Sequence, residues 1–329
     1  MTRKIFWISV VFLTIAVVLS GYKLFSLRKQ AIVPQQFQKA SLQLKWIDQA
    51  QFAGFCMAKK QGLYSSERLD VEIHPGGPDI SPIQMVISGV SDFGITGADQ
   101  IIMAREKGVP IVALAVIYKD SPVAVGSLKE KNITSPKDLE GKRVGVVYGR
   151  DEETIYRALL KKEGVDSGKI VEMPVLAGIS QITTDKFDAQ ILYEINEAVL
   201  LEKNGFSVNL IRPRDYGIKF YADTLFATEE TIRNRPDVVR AFVRASVAGW
   251  KAAIANTEEA VKETLEVNKS LDKEHQLRFF QLSIPLINQG KIGRSEGNVW
   301  ADMQEILLDQ KLLPRQINMD QAFTNEFLE

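Results

Sequence analysis

Aromatic, amide and carboxyl side chains fall in short runs directly after apolar, strand-like segments. Trp46, Asp48, Gln49 and Gln51 follow one such segment, and Gly76, Gly77 and Asp79 a second. Gly97, Ala98 and Asp99 come after a third, Tyr118 and Ser121 after a fourth. Further along stand Tyr148, Gly149, Arg150 and Asp151, then Tyr193 and Glu194, then Asp215 and Tyr216, with Asp223 beyond them. In open α/β sheets ligands sit at the carboxyl ends of strands, where loops turn into helices, so position alone selects these residues. Their chemistry suits a flat polar molecule. Rings offer stacking faces, while carboxylates and amides pair with ring nitrogens and exocyclic amines. Trp46 is the foremost stacking candidate, against the plainer reading of an indole filling the core at a strand end. Tyr193 with Glu194 is weighed the same way. Asn196 and Glu197, just beyond, read as a brace for the helix they begin; Asp223 reads equally as a ligand contact or a structural hydrogen-bonding group.

The segment Asp151-Glu152-Glu153 argues about ligand charge. It opens the helix that follows the strand Val144–Val147. Helix N-termini hold oxyanions through free N–H groups and the positive end of the helix dipole. Three carboxylates there repel an anion, and Arg150 offsets only one of them. The expectation is a neutral or amine-bearing ligand rather than a small oxyanion. The alternative is that these acids only satisfy the dipole in solvent.

Other chemistries are poorly supplied. With 41 basic and 41 acidic residues the chain has no formal net charge, so no basic footprint for nucleic acid is expected. Two histidines, His74 and His275, exclude a multi-His metal site, and a single cysteine, Cys56, excludes an intramolecular disulfide. No Ser-His-Asp order, Walker loop or Gly-x-Gly-x-x-Gly run is present. No metal, cofactor or catalytic residue is therefore assigned.

The elements that must position these residues alternate between strand and helix. Leu42, Leu44 and Trp46 alternate with Gln43 and Lys45, as in a strand with one buried face. Ala50 to Gln61 reads as a helix stopped by Gly62; Phe93 to Thr96 is a strand, and Gly97 to Lys107 a helix. Ile111 to Tyr118 is nearly all apolar, as for a central parallel strand covered on both faces. A second cycle starts near Val123, with strands at Val144–Val147, Ile170–Met173, Gln190–Tyr193 and Val208–Ile211. Ser135 before Pro136 marks a helix start. From Asp237 onward the pattern is helical, with Asn256 and Glu259 as a capping box. Such alternation with short connections implies an α/β fold with parallel-type sheets.

The N-terminus differs in kind. Arg3 and Lys4 precede an uncharged apolar run from Ile5 to Tyr22. Its length falls between a signal-peptide core and a spanning helix. Residues 1–25 are therefore expected to be a signal peptide or an N-terminal membrane anchor, with export in either case, and residues 26–40 a polar linker. About 300 residues remain, more than one hydrophobic core usually serves, so two lobes are expected.

Several local runs resemble a known family. They are Leu42-Gln43-Leu44-Lys45-Trp46, Gln49-Ala50-Gln51-Phe52-Ala53-Gly54-Phe55, Gly62-Leu63-Tyr64 and Gly76-Gly77-Pro78-Asp79, continued by Ser91-Asp92-Phe93-Gly94-Ile95, Asn196-Glu197-Ala198 and Tyr221-Ala222-Asp223-Thr224-Leu225. The chain resembles the nitrate/sulfonate/pyrimidine-type substrate-binding proteins of ABC transporters, nearest their thiamine-precursor and riboflavin-binding branch. The resemblance implies a type II periplasmic binding protein fold. Residues 41–125 and 222–329 would form one lobe, residues 126–221 the other, with two hinge strands between them. It further implies an extracytoplasmic, periplasmic monomer that captures a small flat heterocycle by hinge closure and presents it to an ABC transporter permease. Two alternatives stay open: a ligand-sensing module for a membrane signalling partner, and an enzyme like the related pyrimidine synthase. That enzyme carries a cluster of cysteines that this chain lacks.

Overall fold

The computed structural model describes residues 36–175 and 178–328. The signal or anchor segment, and the first part of the linker, lie outside the described residues. No helix of the described part is long and apolar enough to cross a membrane. From Gln38 onward the chain is one compact unit.

Ten strands run in chain order: β1 Gln38–Gln43, β2 Leu69–His74, β3 Phe93–Thr96, β4 Ile111–Val116, β5 Val123–Leu128, β6 Arg143–Val146, β7 Val171–Pro174, β8 Ala189–Tyr193, β9 Val208–Ile211 and β10 Thr224–Thr228. They form two five-stranded sheets, ordered β2-β1-β3-β10-β4 and β7-β6-β8-β5-β9. The chain passes between the sheets twice, after β4 and before β10. The architecture is that of a periplasmic binding protein.

Both sheets are mixed rather than parallel. β10 runs antiparallel to β3 and β4, and β5 antiparallel to β8 and β9, while β1, β2 and β3 and likewise β6, β7 and β8 are parallel. Strand–helix alternation accounts for the parallel part. The antiparallel strands, β5 and β10, are those reached by crossing from one sheet to the other.

Three boundaries differ from the sequence reading. β1 begins at Gln38, inside the expected linker, because backbone pairing with Leu69–His74 outweighs polar composition. β4 is the last strand of its sheet rather than a central one. It is nonetheless buried, since its outer edge is covered by bridges to Phe323 and Gly293. Ala50–Phe52 is a 3-10 turn that leads into the helix Ala53–Lys60.

That helix is apolar on most of its surface because it lies under the long helix Pro236–Ala255. The two cross at glycines: a Cβ on Gly249 would stand 2.3 Å from the Gly54 carbonyl oxygen, and one on Gly54 would meet the Trp250 ring. Glycine is required there for backbone-to-backbone packing. Trp250 and Trp300 are both fully buried, and Phe93 stacks on Phe242 with centroids 4.0 Å apart. The main core runs through both sheets; a smaller one, including Ala124, Leu192 and Leu201, lies under the second. Together they hold the ten strand ends in fixed positions.

Candidate functional site

The carboxyl ends of the two sheets face each other across a cavity of about 320 Å³. The first sheet contributes the segment after β1, from Lys45 to Gln51. The second contributes the ends of β6, β7 and β8, including Val146, Tyr148, Arg150, Glu152, Val175, Gln190 and Tyr193. The wall mixes apolar side chains such as Val146, Val175, Ile191 and Leu192 with charged and amide ones such as Lys45, Gln49, Arg150 and Glu197.

The alternation expected around Leu44 breaks here. Gln43 and Lys45 are 1% and 5% exposed, as buried as their apolar neighbours. Gln43 Nε2 donates to the Pro75 carbonyl at 2.9 Å. Lys45 extends between the sheets, with Nζ 2.9 Å from both carboxylate oxygens of Asp151, 2.8 Å from Tyr193 Oη and 3.4 Å from Asp223 Oδ1. Burial alone would lower the lysine, but the charges of Asp151 and Asp223 hold it above its usual value, so it is a cation. Tyr193 Oη donates in turn to Asp151 Oδ2 at 3.1 Å. A buried pair must be closely partnered to offset its desolvation, and this one is.

The segment after β1 is equally saturated. Gln49 Nε2 donates to Gln51 Oε1 at 2.9 Å, and Gln51 Nε2 to Asp223 Oδ2 at 2.8 Å. Burial pushes Asp223 up against the opposing pull of Lys45. Trp46 lines the cavity, with the Arg150 guanidinium 5.0 Å from its ring centroid, a cation–π contact. Arg150 also donates to the carbonyls of Lys45, Gly77 and Pro78 at 3.2, 2.6 and 3.0 Å.

The three acids that open the helix Asp151–Lys162 have separate roles. Asp151 is 3% exposed and anchors Lys45, so it does not merely satisfy the helix dipole in solvent. Glu153 accepts from Gly149 N at 2.8 Å and pairs with Arg157. Glu152 lines the cavity; burial and the neighbouring Asp151 charge push its carboxyl up to about 8. Its carboxyl hydrogen-bonds the Asp151 carboxylate, and its Oε2 is buried and accepts from no donor. Gln190, on β8, is 1% exposed; its Nε2 donates to the Gly178 carbonyl at 3.2 Å and its Oε1 has no partner. Glu197 lines the cavity and braces its helix as expected, accepting from Tyr193 N and Asn196 Nδ2 at 3.0 Å each.

Of the residues selected from sequence, the cavity wall contains Trp46, Gln49, Gln51, Tyr148, Arg150 and Tyr193. Asp223 stands just behind Lys45. Asp99 is fully buried beside Asp151; burial and then that charge push it up to about 6. Gly97 permits this approach, because a Cβ there would lie 2.8 Å from Asp151 Cβ. Ala98 starts the following helix and is buried in the core. Gly76 donates its N–H to the Trp46 carbonyl at 2.8 Å and Gly77 lends its carbonyl to Arg150, so both shape the rim. Asp79 and Gly149 line a smaller adjoining cavity of about 210 Å³.

Six selected residues stand elsewhere, among them Asp48, whose carbonyl accepts from Asn268 Nδ2 at 3.0 Å, and Asp215 in the turn Pro213–Tyr216. Tyr118 is 1% exposed and meets Trp250 edge-on at 6.3 Å, because the apolar run that ends on it continues into the core. Ser121 accepts from Val123 N and fixes the turn between the sheets. Glu194 points away from the cavity and pairs with Arg212 and Arg214, since alternation along β8 puts it opposite Tyr193. Tyr216 packs half-buried against the core from the turn Pro213–Tyr216. Lys45, Glu152 and Gln190 were not selected. In the sequence the lysine has the place of an outward strand residue and the glutamine that of an ordinary strand member; only Glu152 carries a signal, through the acidic helix start. Among the described residues no His, Cys, Asp and Glu cluster is arranged to hold a metal.

Known proteins agree with this architecture. The NMT1/THI5 like family model matches residues 49–260. The riboflavin-binding protein RibY of Chloroflexus aurantiacus is 28% identical, over 88% of this chain and 86% of that protein. A formylaminopyrimidine-binding protein of Halalkalibacterium halodurans is 25% identical over 88% and 91%. A 4-amino-5-hydroxymethyl-2-methylpyrimidine phosphate synthase of Legionella pneumophila is 22% identical over 88% and 92%. Among solved structures, the alkanesulfonate-binding protein SsuA of Xanthomonas axonopodis pv. citri superposes with a TM-score of 0.70 at 14% identity, covering 88% of this chain and 99% of that one. At that identity the likeness establishes the fold.

Proposed function

Because the chain belongs to the NMT1/THI5 like family, we propose that it is the extracytoplasmic solute-binding component of an ABC-type importer, and that its solute is a small flat heterocycle of the pyrimidine or flavin kind. The ligand sits in the cavity between the sheets, with Trp46 as its stacking platform. Residues 41–125 with 222–329, and residues 126–221, act as two lobes that close by rotation about the two crossing segments. A membrane permease reads the closed form, and the protein works as a monomer, held outside the cytoplasm by export of its N-terminal segment.

The observation that carries this reading is the state of the cavity's charges. Its lysine is neutralised by Asp151 and Asp223, and its arginine is committed to the Trp46 ring and three carbonyls. The remaining cavity acids, Glu152 and Glu197, are both pushed up by burial. An uncharged heterocycle needs no counter-charge there, whereas a small oxyanion finds no uncommitted cation in the wall to pair with.

Two observations bear on the synthase alternative. Cys56, the chain's one cysteine, is buried in the core, and burial pushes its thiol up to about 12, away from nucleophilic reactivity. Both histidines are engaged, His74 with Ser91 and His275 with the Asn196 carbonyl. We therefore read the chain as a binder rather than an enzyme. Titration calorimetry of the full-length chain with riboflavin, aminopyrimidines and pyridoxal phosphate tests this. Tight binding of a heterocycle without turnover is the expected result; product formation with pyridoxal phosphate would overturn it.

A further inference from the structure

The cavity beside Trp46 is not the whole of the space between the sheets. The second cavity, of about 210 Å³, adjoins it, and Lys45, Pro78, Tyr148 and Arg150 stand in the walls of both. The two differ in the surface they offer. In the larger, the Trp46 ring and the side chains of Val146, Val175, Ile191 and Leu192 give broad apolar faces. In the smaller, polar surface predominates, with the carboxylate of Asp79, the hydroxyl of Ser81 and the amide of Gln100 in the wall. Asp79 and Ser81 are exposed rather than sealed in the core. The Asp79 carboxylate has no hydrogen-bond or ion-pair partner among the described residues. Ser81 Oγ accepts from Gln84 N at 3.4 Å, which leaves its O–H able to donate. The cations of this wall are taken: Lys45 holds Asp151, and Arg150 donates to the Gly77 and Pro78 carbonyls.

We infer that the two cavities are two subsites for one ligand: a flat ring in the larger, against Trp46, and an uncharged, hydroxyl-bearing tail in the smaller. The inference rests on the heterocycle-binding reading and narrows it to rings that carry such a tail. A hydroxyl suits this wall because it donates and accepts at once, giving its proton to the Asp79 carboxylate and receiving one from Ser81. An aliphatic tail would take water from the carboxylate and return no donor, which costs free energy. A phosphorylated tail would set its negative charge beside Asp79, with both cations of the wall already committed. The tail passes between the subsites at Tyr148 and Arg150, which belong to both walls. Arg150 is fixed there by its carbonyl partners and the Trp46 ring, so it marks the boundary between ring and tail.

The test is titration calorimetry of the full-length chain at neutral pH with three flavins of the same ring. They are riboflavin, lumiflavin, in which a methyl group replaces the hydroxylated tail, and riboflavin phosphate. Riboflavin is expected to bind at least about tenfold more tightly than lumiflavin, the weight of one hydrogen bond to a carboxylate, and to exceed its phosphate by a similar factor. Asp79→Ala, a change at an exposed position, is expected to weaken riboflavin comparably and to remove most of its advantage over lumiflavin. Equal affinity for riboflavin and lumiflavin, or a phosphate bound as tightly as riboflavin, would overturn the tail subsite while leaving the ring site intact. Binding of an aminopyrimidine with no flavin bound would also overturn the subsite and keep the heterocycle reading. Failure of every one of these rings to bind would overturn that reading and this inference with it. The flavin comparison needs no variant, so it stands even where Asp79→Ala does not fold.

Discussion

The two sides of the cavity are built from equivalent places, the carboxyl ends of two five-stranded sheets, yet they are held differently. On the first-sheet side Lys45, Gln49, Gln51 and Asp223 form a continuous chain of partners. On the second-sheet side Glu152 Oε2 and Gln190 Oε1 are buried without a donor. A chain of partners holds geometry firmly, whereas a buried acceptor without a donor costs stability. Lys45 joins the two sides through Asp151 and Tyr193.

The largest effect should come from breaking that join. Lys45→Met leaves Asp151 and Asp223 buried without a cation, and we expect a loss of about 3–5 kcal/mol in unfolding free energy, read by urea denaturation of the ligand-free protein. Next comes the platform. Trp46→Ala removes the ring that carries Arg150, and we expect affinity for the heterocycle to fall by at least about tenfold while the melting temperature changes little.

A pH prediction sharpens the second side. Glu152 is raised by burial and the Asp151 charge from the usual carboxyl range to about 8. Its proton is held more tightly folded than unfolded, so its stabilising contribution is complete below about pH 4.5 and is lost as pH rises through about 8. The melting temperature of the empty protein should fall across that window, and Glu152→Gln should flatten the fall. A profile unchanged by the variant would show that Glu152 is not the titrating group. The smallest effect belongs outside the cavity: Glu194→Gln breaks the pairs with Arg212 and Arg214 and should leave ligand affinity within about twofold.

Much of this was legible before any coordinates. Strand ends pointed to Trp46, Gln49, Gln51, Arg150 and Tyr193, because the carboxyl-end rule depends only on where apolar runs stop. Tyr118 was misplaced by the same rule, since the run that ends on it continues into the core. Lys45 and Gln190 were invisible for a different reason. A buried lysine is identified by its partners Asp151 and Asp223, and those are distant in sequence. A lone glutamine in β8 becomes notable only when its oxygen proves to lack a donor. The mixed sheets are not legible in the sequence because β5 and β10 look like any other strand until their pairing within each sheet is known.

The most direct test of the account is titration calorimetry of the full-length chain with riboflavin and an aminopyrimidine on one arm, and taurine and nitrate on the other. We expect saturable binding of a heterocycle and none of either anion. Tight binding of taurine or nitrate, with no heat from any heterocycle, would contradict the cavity's assignment as a site for an uncharged ring.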